Sequence, residues 1–220
     1  MAEVVEVRKN VLGKNDEIAA ANREHLARLS VTALNFVSSP GAGKTSLLVR
    51  TLNDLKDEIR FAVIEGDQET DNDARRIAET GVPVTQINTI SACHLDAQMV
   101  RGAFAEIPLQ TVDTLLIENV GNLVCPASYD LGENMKVAVM SVTEGEDKPA
   151  KYPKMFRVSS ALLITKADLL PHLDFDLPRA VEYARNVNPS LKIFTVSSRT
   201  GEGMEDWYGF IRAMRNAGQG

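Results

Sequence analysis

The chain has 220 residues, 44% of them apolar, with a formal net charge of −6. Such a chain can bury one sizeable core, lacks the basic surface of a general nucleic-acid binder, and contains no apolar run near the ~18 residues that span a bilayer. Two cysteines make no disulfide framework, and the first ten residues are charged without an apolar stretch, so a cytoplasmic chain with reduced thiols is expected.

In chain order, residues 14–29 predict an amphipathic helix, with Asn15 or Asp16 as its cap and Ile18, Leu26 and Leu29 on one face. The expected division is an N-terminal segment and helix over 1–30, then one domain over 31–220. Strands are predicted at 34–37, 60–65, 84–87, 114–117, 137–142, 161–164 and 193–196. Between them lie helical stretches at 46–55, 70–80 (stopped by Gly81 and Pro83) and 95–105, with a last helix at 204–214. Continuous apolar strands separated by helices imply an α/β fold: a mainly parallel sheet with helices on both faces. Ligands of such sheets bind beyond the carboxyl ends of the strands.

Residues 38–45, Ser-Ser-Pro-Gly-Ala-Gly-Lys-Thr, sit between the first strand and the next helix. This is the phosphate-binding pattern G-x-x-x-x-G-K-[ST], with Ser38 in place of the first glycine. Gly41, Ala42 and Gly43 let backbone N–H groups converge on an anion, and the helix N-terminus around Ser46 adds free donors. Lys44 is expected on the outer phosphates and the Thr45 hydroxyl on Mg²⁺. Ser38 can replace glycine only if its backbone stays in an allowed region.

Other strand ends carry further chemistry. Glu118 ends the apolar run 114–117 and is the expected Mg²⁺-side carboxylate; Asp67 and Asp73, around the polar run 68–73, are candidates for a second carboxylate or for placing the attacking water. Lys44, Asp67 and Glu118 are therefore the candidate catalytic set. Thr165-Lys166-Ala167-Asp168 resembles the N-K-x-D signature by which GTPases read guanine. Asp168 would accept from the guanine N1–H and amine, which adenine lacks, and Lys166 would pack over the base. Thr165 removes the amide that buttresses loop and base in that signature. Ser197 and Ser198, after the last strand, are expected beside the base. Arg75 and Arg76 are available cations without an assigned place, and the run Lys148, Lys151, Lys154 is either a solvated face or a reach to a phosphate across a dimer.

Cys93 is followed directly by His94, and Cys125 lies in a Gly/Pro-containing loop seven residues after Glu118. Two thiolates and one imidazole suit Ni²⁺ or Zn²⁺ better than Mg²⁺, but fall short of a closed tetrahedral set; a symmetric dimer would double the inventory. On spacing alone, buried structural cysteines remain an alternative.

Residues 93–97 (Cys-His-Leu-Asp-Ala), 117–127 (Ile-Glu-Asn-Val-Gly-Asn-Leu-Val-Cys-Pro-Ala) and 130–132 (Asp-Leu-Gly) resemble the HypB family of hydrogenase nickel-incorporation GTPases. The resemblance runs over about 30–203 and implies a P-loop NTPase fold, GTP and GDP as ligands, and nucleotide-dependent homodimerisation. It also implies a role in delivering nickel to the large subunit of [NiFe]-hydrogenase alongside other nickel-delivery accessory proteins. It places Cys93, His94 and Cys125 at a metal site on the dimer interface. Some relatives add an N-terminal cysteine motif or a histidine-rich stretch; residues 1–30 hold no cysteine and only His25, so neither is expected. Urease accessory GTPases, a competing resemblance, place Cys-Pro-His in the metal loop, where this chain has Cys125-Pro126-Ala127. A regulatory GTPase without a metal role and a small-molecule kinase are the remaining alternatives.

Overall fold

The computed structural model describes residues 3–67, 70–90 and 92–218, with backbone alone considered for 3–10 and 216–218. Seven strands form one sheet: β1 (Thr32–Ser38), β2 (Phe61–Asp67), β3 (Val84–Asn88), β4 (Thr114–Glu118), β5 (Met135–Ser141), β6 (Ala161–Thr165) and β7 (Lys192–Thr195). Their order is β3-β2-β4-β1-β5-β6-β7, and every pairing is parallel. The order reverses at β1, so the crevice at its carboxyl end is the topological switch point where a ligand fits.

Side chains of β1 show how the sheet is covered. Leu34 and Phe36 face one layer, with Leu47, Leu48 and Leu52 of α2 (Lys44–Leu55) and Trp207 of α8 (Met204–Gly218). Ala33 and Val37 face the other, where they join two separate clusters. Ala33 packs with Leu26 of α1 (Glu3–Arg28) and Val100 of α4 (Ala97–Ala103). Val37 packs with Phe156 of α6 (Pro153–Val158) and Ala184 of α7 (Leu177–Val187). Asn35 lies between the two, so the seam between the clusters is polar. Each fully buried Leu or Phe contributes about 1.5–3 kcal/mol, which fixes the sheet's register and hence the strand ends.

The predicted parallel sheet and its strand positions hold, with shifted ends. β2 runs two residues further than predicted, because Gly66 and Asp67 pair with Ile87 and Asn88 of β3. Helix α1 passes straight through the predicted cap: the Asn15 side chain donates to the Asp130 carbonyl at 2.9 Å and accepts from the Ala97 amide at 2.9 Å. Helix α2 begins at Lys44 rather than Ser46. The stretch predicted as one helix over 70–80 is α3 (Asn72–Ala78), and that over 95–105 is α4 followed by a 3-10 turn over Phe104–Glu106. Helix α7 and the short α5 (Lys148–Lys151) and α6 are additions to the sequence reading. The face of α7 turned to the core is Leu177, Ala180, Val181, Ala184 and Val187, a stripe at helical spacing that the sequence reading passed over. No helix among the described residues is long and apolar enough to cross a membrane.

Candidate nucleotide and metal sites

The phosphate loop closes the end of β1. Gly41 and Gly43 hold φ of 75° and 88°, a region that a Cβ makes costly, and this turns the chain into α2, whose first residues line the crevice. Ser38 is the last residue of β1 and is not among the residues with positive φ, so it substitutes for glycine without backbone strain. Its hydroxyl donates to the Ser39 carbonyl at 2.6 Å and accepts from Lys44 Nζ at 3.1 Å. Lys44, 9% exposed, is thereby held over the loop.

Two carboxylates stand beside it. Thr45 Oγ1 donates to Glu118 Oε1 at 2.7 Å, and Lys44 Nζ lies 3.9 Å from the same oxygen. Glu65 is the register partner of Glu118 on β2 and is 2% exposed. Burial pushes the Glu65 carboxyl up to about 8, and the carboxylates of Glu118, Asp67 and Asp73 add to this while Lys44 opposes it. Burial also raises Glu118, against Lys44 and Thr45. Glu65 Oε2 and Glu118 Oε2 are buried and, among the described residues, accept no hydrogen bond. Two orphaned carboxylate oxygens beside a threonine hydroxyl are a donor set that fits a hard divalent cation.

These groups line a cleft of 540 Å³ with Asp67, Asp73 and Arg76. Asp67 accepts from the Thr70 amide at 3.1 Å and from its hydroxyl at 2.8 Å. Asp73 pairs with Arg76 at 3.2 Å, and Arg76 donates to Ser46 Oγ at 2.8 Å. The predicted polar run includes Gln68 and Glu69, which lie outside the described residues. Glu65 escaped the sequence reading, although its signal matches that of Glu118: an acidic residue closing an apolar strand.

The predicted base-reading residues converge at the ends of β6 and β7. Ser197 Oγ donates to Asp168 Oδ1 at 2.6 Å, and Lys166, at φ 60°, donates to the Gly41 carbonyl at 2.8 Å. Ser198 offers its carbonyl to Arg50 at 3.4 Å. Thr165 corrects an expectation: rather than leaving the loop without a buttress, its hydroxyl donates to the Ala42 carbonyl at 2.6 Å. A shorter side chain makes the contact because β6 already lies close. Within the chain, Lys148 bonds Ser39 of the phosphate loop and Glu144 at 2.9 Å. Lys151 pairs with Asp147 at 2.8 Å, and Lys154 bonds Ser128.

The thiol corner lies on the connections flanking β4. Cys93, His94 and Cys125 come together with one ligand atom each, all within 4.8 Å of one another. Cys93 Sγ is 3.7 Å from His94 Nδ1, and all three residues are half-buried. Burial lowers the His94 imidazole below its ordinary value, against Asp96, which favours the neutral ligand form. The His94 ring lies 4.0 Å from the Tyr129 ring, which fixes its plane. Soft sulfur with imidazole suits nickel or zinc. Val124 and Ile90 stand exposed nearby in sequence, at 60% and 81%. His25, the remaining N-terminal imidazole of the sequence reading, instead stacks on Phe104 at 5.7 Å.

Residues 32–195 match the family model described as CobW/HypB/UreG, nucleotide-binding domain. The chain is 58% identical over 208 residues to the hydrogenase maturation factor HypB of Rhizobium leguminosarum bv. viciae, covering 94% of this chain and 70% of that protein. Among solved structures, it superposes on HypB of Helicobacter pylori in complex with nickel with a TM-score of 0.88 and 42% identity, covering 93% of this chain and 96% of that one. It superposes on the hydrogenase maturation factor HypB of Archaeoglobus fulgidus with a TM-score of 0.87 and 36% identity, covering 92% and 99%.

Proposed function

The chain belongs to the HypB family of hydrogenase maturation factors, and from that premise we propose that it is a GTP-hydrolysing nickel metallochaperone. One observation carries the reading: a three-ligand thiolate–imidazole cluster has one ligand, Cys125, on the connection that begins at Glu118 of the phosphate cleft. A nucleotide site and a soft-metal site so joined serve timed capture and release of a metal cargo. Nickel would be that cargo, with zinc a competitor for the same thiolates.

In this reading the glycine loop and the start of α2 cradle the phosphates, and Lys44 neutralises charge that builds on them during transfer to water. Asp168, fixed by Ser197, selects guanine, because adenine would leave its carboxylate unpaired. Thr45, Glu118 and Asp67 would hold Mg²⁺, with Glu65 and Asp73 beside it. When bound, that ion would neutralise phosphate charge and orient the transferring group.

Three protein ligands leave a metal open to a fourth, and an isologous dimer would bring two such corners together. The exposed Val124 and Ile90 are the apolar surface such an interface would cover. A cytoplasmic location and partners among hydrogenase-assembly proteins, including the large subunit that receives nickel, complete the proposal. Equilibrium dialysis of Ni²⁺ with a non-hydrolysable GTP analogue tests it. Wild-type binding that Cys125→Ala abolishes, at half a metal per chain, is the expected result. No binding in either protein overturns the metallochaperone reading.

A further inference from the structure

Asn122 takes part in neither the phosphate cleft nor the ligand set, yet it touches both arms of the thiol corner. Its Nδ2 donates to the carbonyl of Cys93 at 3.2 Å. Its Oδ1 accepts from the amide of Val124, the residue before Cys125, at 2.8 Å. A carboxamide carries donor and acceptor on one rigid plane, so a single side chain ties the two thiol-bearing segments together.

Asn119, three residues earlier, repeats the arrangement deeper in the molecule. Its Oδ1 accepts from the amide of Leu95, beside His94, at 3.1 Å. Its Nδ2 donates to Asn35 Oδ1 at 3.2 Å. From Asn35 the chain of bonds continues along the polar seam between the two apolar clusters. Asn35 donates to Glu133 at 3.0 Å, and Glu133 pairs with the buried Lys136 at 2.8 Å. Lys136 closes the circuit, donating to the carbonyls of Pro126 at 3.2 Å and Tyr129 at 2.8 Å, just after Cys125. The connector that bears both asparagines lies against the phosphate loop. A Cβ on Gly121 would meet Pro40 Cγ at 3.0 Å and Pro40 N at 3.1 Å.

We propose that Asn122, backed by Asn119, is a positioning residue of the metal site, holding the Cys93–His94 and Cys125 arms on the connector that starts at Glu118. The inference deepens the metallochaperone reading and rests on it. Without this tie the two arms must be brought together by the metal itself. Outer-sphere contacts of this kind are worth about tenfold to a hundredfold in metal affinity. Asn122 is half-exposed, so water replaces its bonds when it is removed and folding is little affected.

The test titrates Ni²⁺ alone into the full chain, in the presence of GDP, for wild type, Asn122→Ala and Asn122→Ser. The thiolate-to-nickel charge-transfer band and dialysis report binding; GDP affinity and Tm are measured on the same samples. The expected result is a loss of Ni²⁺ affinity of about tenfold or more in both variants, with a weaker charge-transfer band. GDP affinity should stay at its wild-type value and Tm should move by no more than about 2–4 °C. Asn122→Ser is the polar replacement that keeps the loop soluble if the alanine variant does not fold. Wild type that binds Ni²⁺ no more tightly than either variant overturns the positioning role and leaves the metallochaperone reading standing. Wild type that binds no Ni²⁺ overturns both. Parallel losses of Ni²⁺ binding, GDP binding and Tm also overturn the inference, since they mark a general structural role.

Discussion

The phosphate cleft and the thiol corner are built by different means from neighbouring pieces of chain. Lys44, Thr45, Glu65 and Glu118 sit on strand ends or a helix start and are buried to 9% exposure or less. Cys93, His94 and Cys125 sit on connections, half-buried, where asparagine side chains bond the backbone around them and the Tyr129 ring packs on His94. A site on strand ends inherits the rigidity of the sheet, so its geometry is set before any ligand arrives. A site on loops is set by a few bonds, so it can be reshaped at small cost. That contrast suits one centre that performs chemistry and another that must release what it holds.

The sharpest test of the rigid half is Lys44→Ala. Single-turnover GTP hydrolysis should fall by about a hundredfold or more, since one preorganised donor at a developing charge is worth that much. Unchanged turnover would place the phosphates elsewhere. Next comes the adjustable half: Cys125→Ala leaves two ligands, and Ni²⁺ affinity by dialysis should drop beyond tenfold. Survival of tight binding would move the metal centre away from this corner.

The base-reading end should respond more moderately. Asp168→Asn replaces two acceptor contacts with a mismatched amide, so GDP should bind about 10–100-fold more weakly and the xanthine analogue more tightly. Calorimetry with the two nucleotides decides this.

The smallest expected effect is on stability. The unfolded chain loses the Glu65 proton near its ordinary 4.5, while the folded chain keeps it to about 8. Between those values the unfolded state binds fewer protons, so stability falls as pH rises through this window. Glu65→Gln should remove that slope, raising the Tm of the nucleotide-free protein at pH 8 by about 2–4 °C per kcal/mol recovered and changing little at pH 5. An equal shift at both pH values would mean that Glu65 is charged throughout.

The contrast between the halves also explains what could be read in the sequence. The loop 38–45, Glu118 and the run 165–168 are contiguous strings that follow apolar strands, and the sheet brings them together in the expected order. Spacing alone did not settle the thiol corner, because Cys93 and Cys125 belong to different connections; resemblance of the surrounding strings was needed. The network Asn35–Asn119–Glu133–Lys136 could not be read at all. Its members come from three strands' worth of sequence, and a lone Asn ordinarily marks a turn or a cap. Thr165 shows the converse. Judged by residue type, it had lost the usual amide contact; with β6 close to the loop, its hydroxyl suffices.

Helix α1 sets a last consequence. Asn15 and Asn22, two turns apart on one face, grip both Ala97 and the 130–131 turn; the Asn22 bonds run to the carbonyls of Ala97 at 2.8 Å and Leu131 at 3.0 Å. Arg23 adds a contact to Asp130 at 2.7 Å. Ala97 lies three residues beyond His94, and Asp130 five beyond Cys125, so the helix acts as a splint across the far ends of both thiol-bearing arms. A gene fragment cut at residue 30 would keep every motif that names this chain and discard the brace that keeps two of them in register.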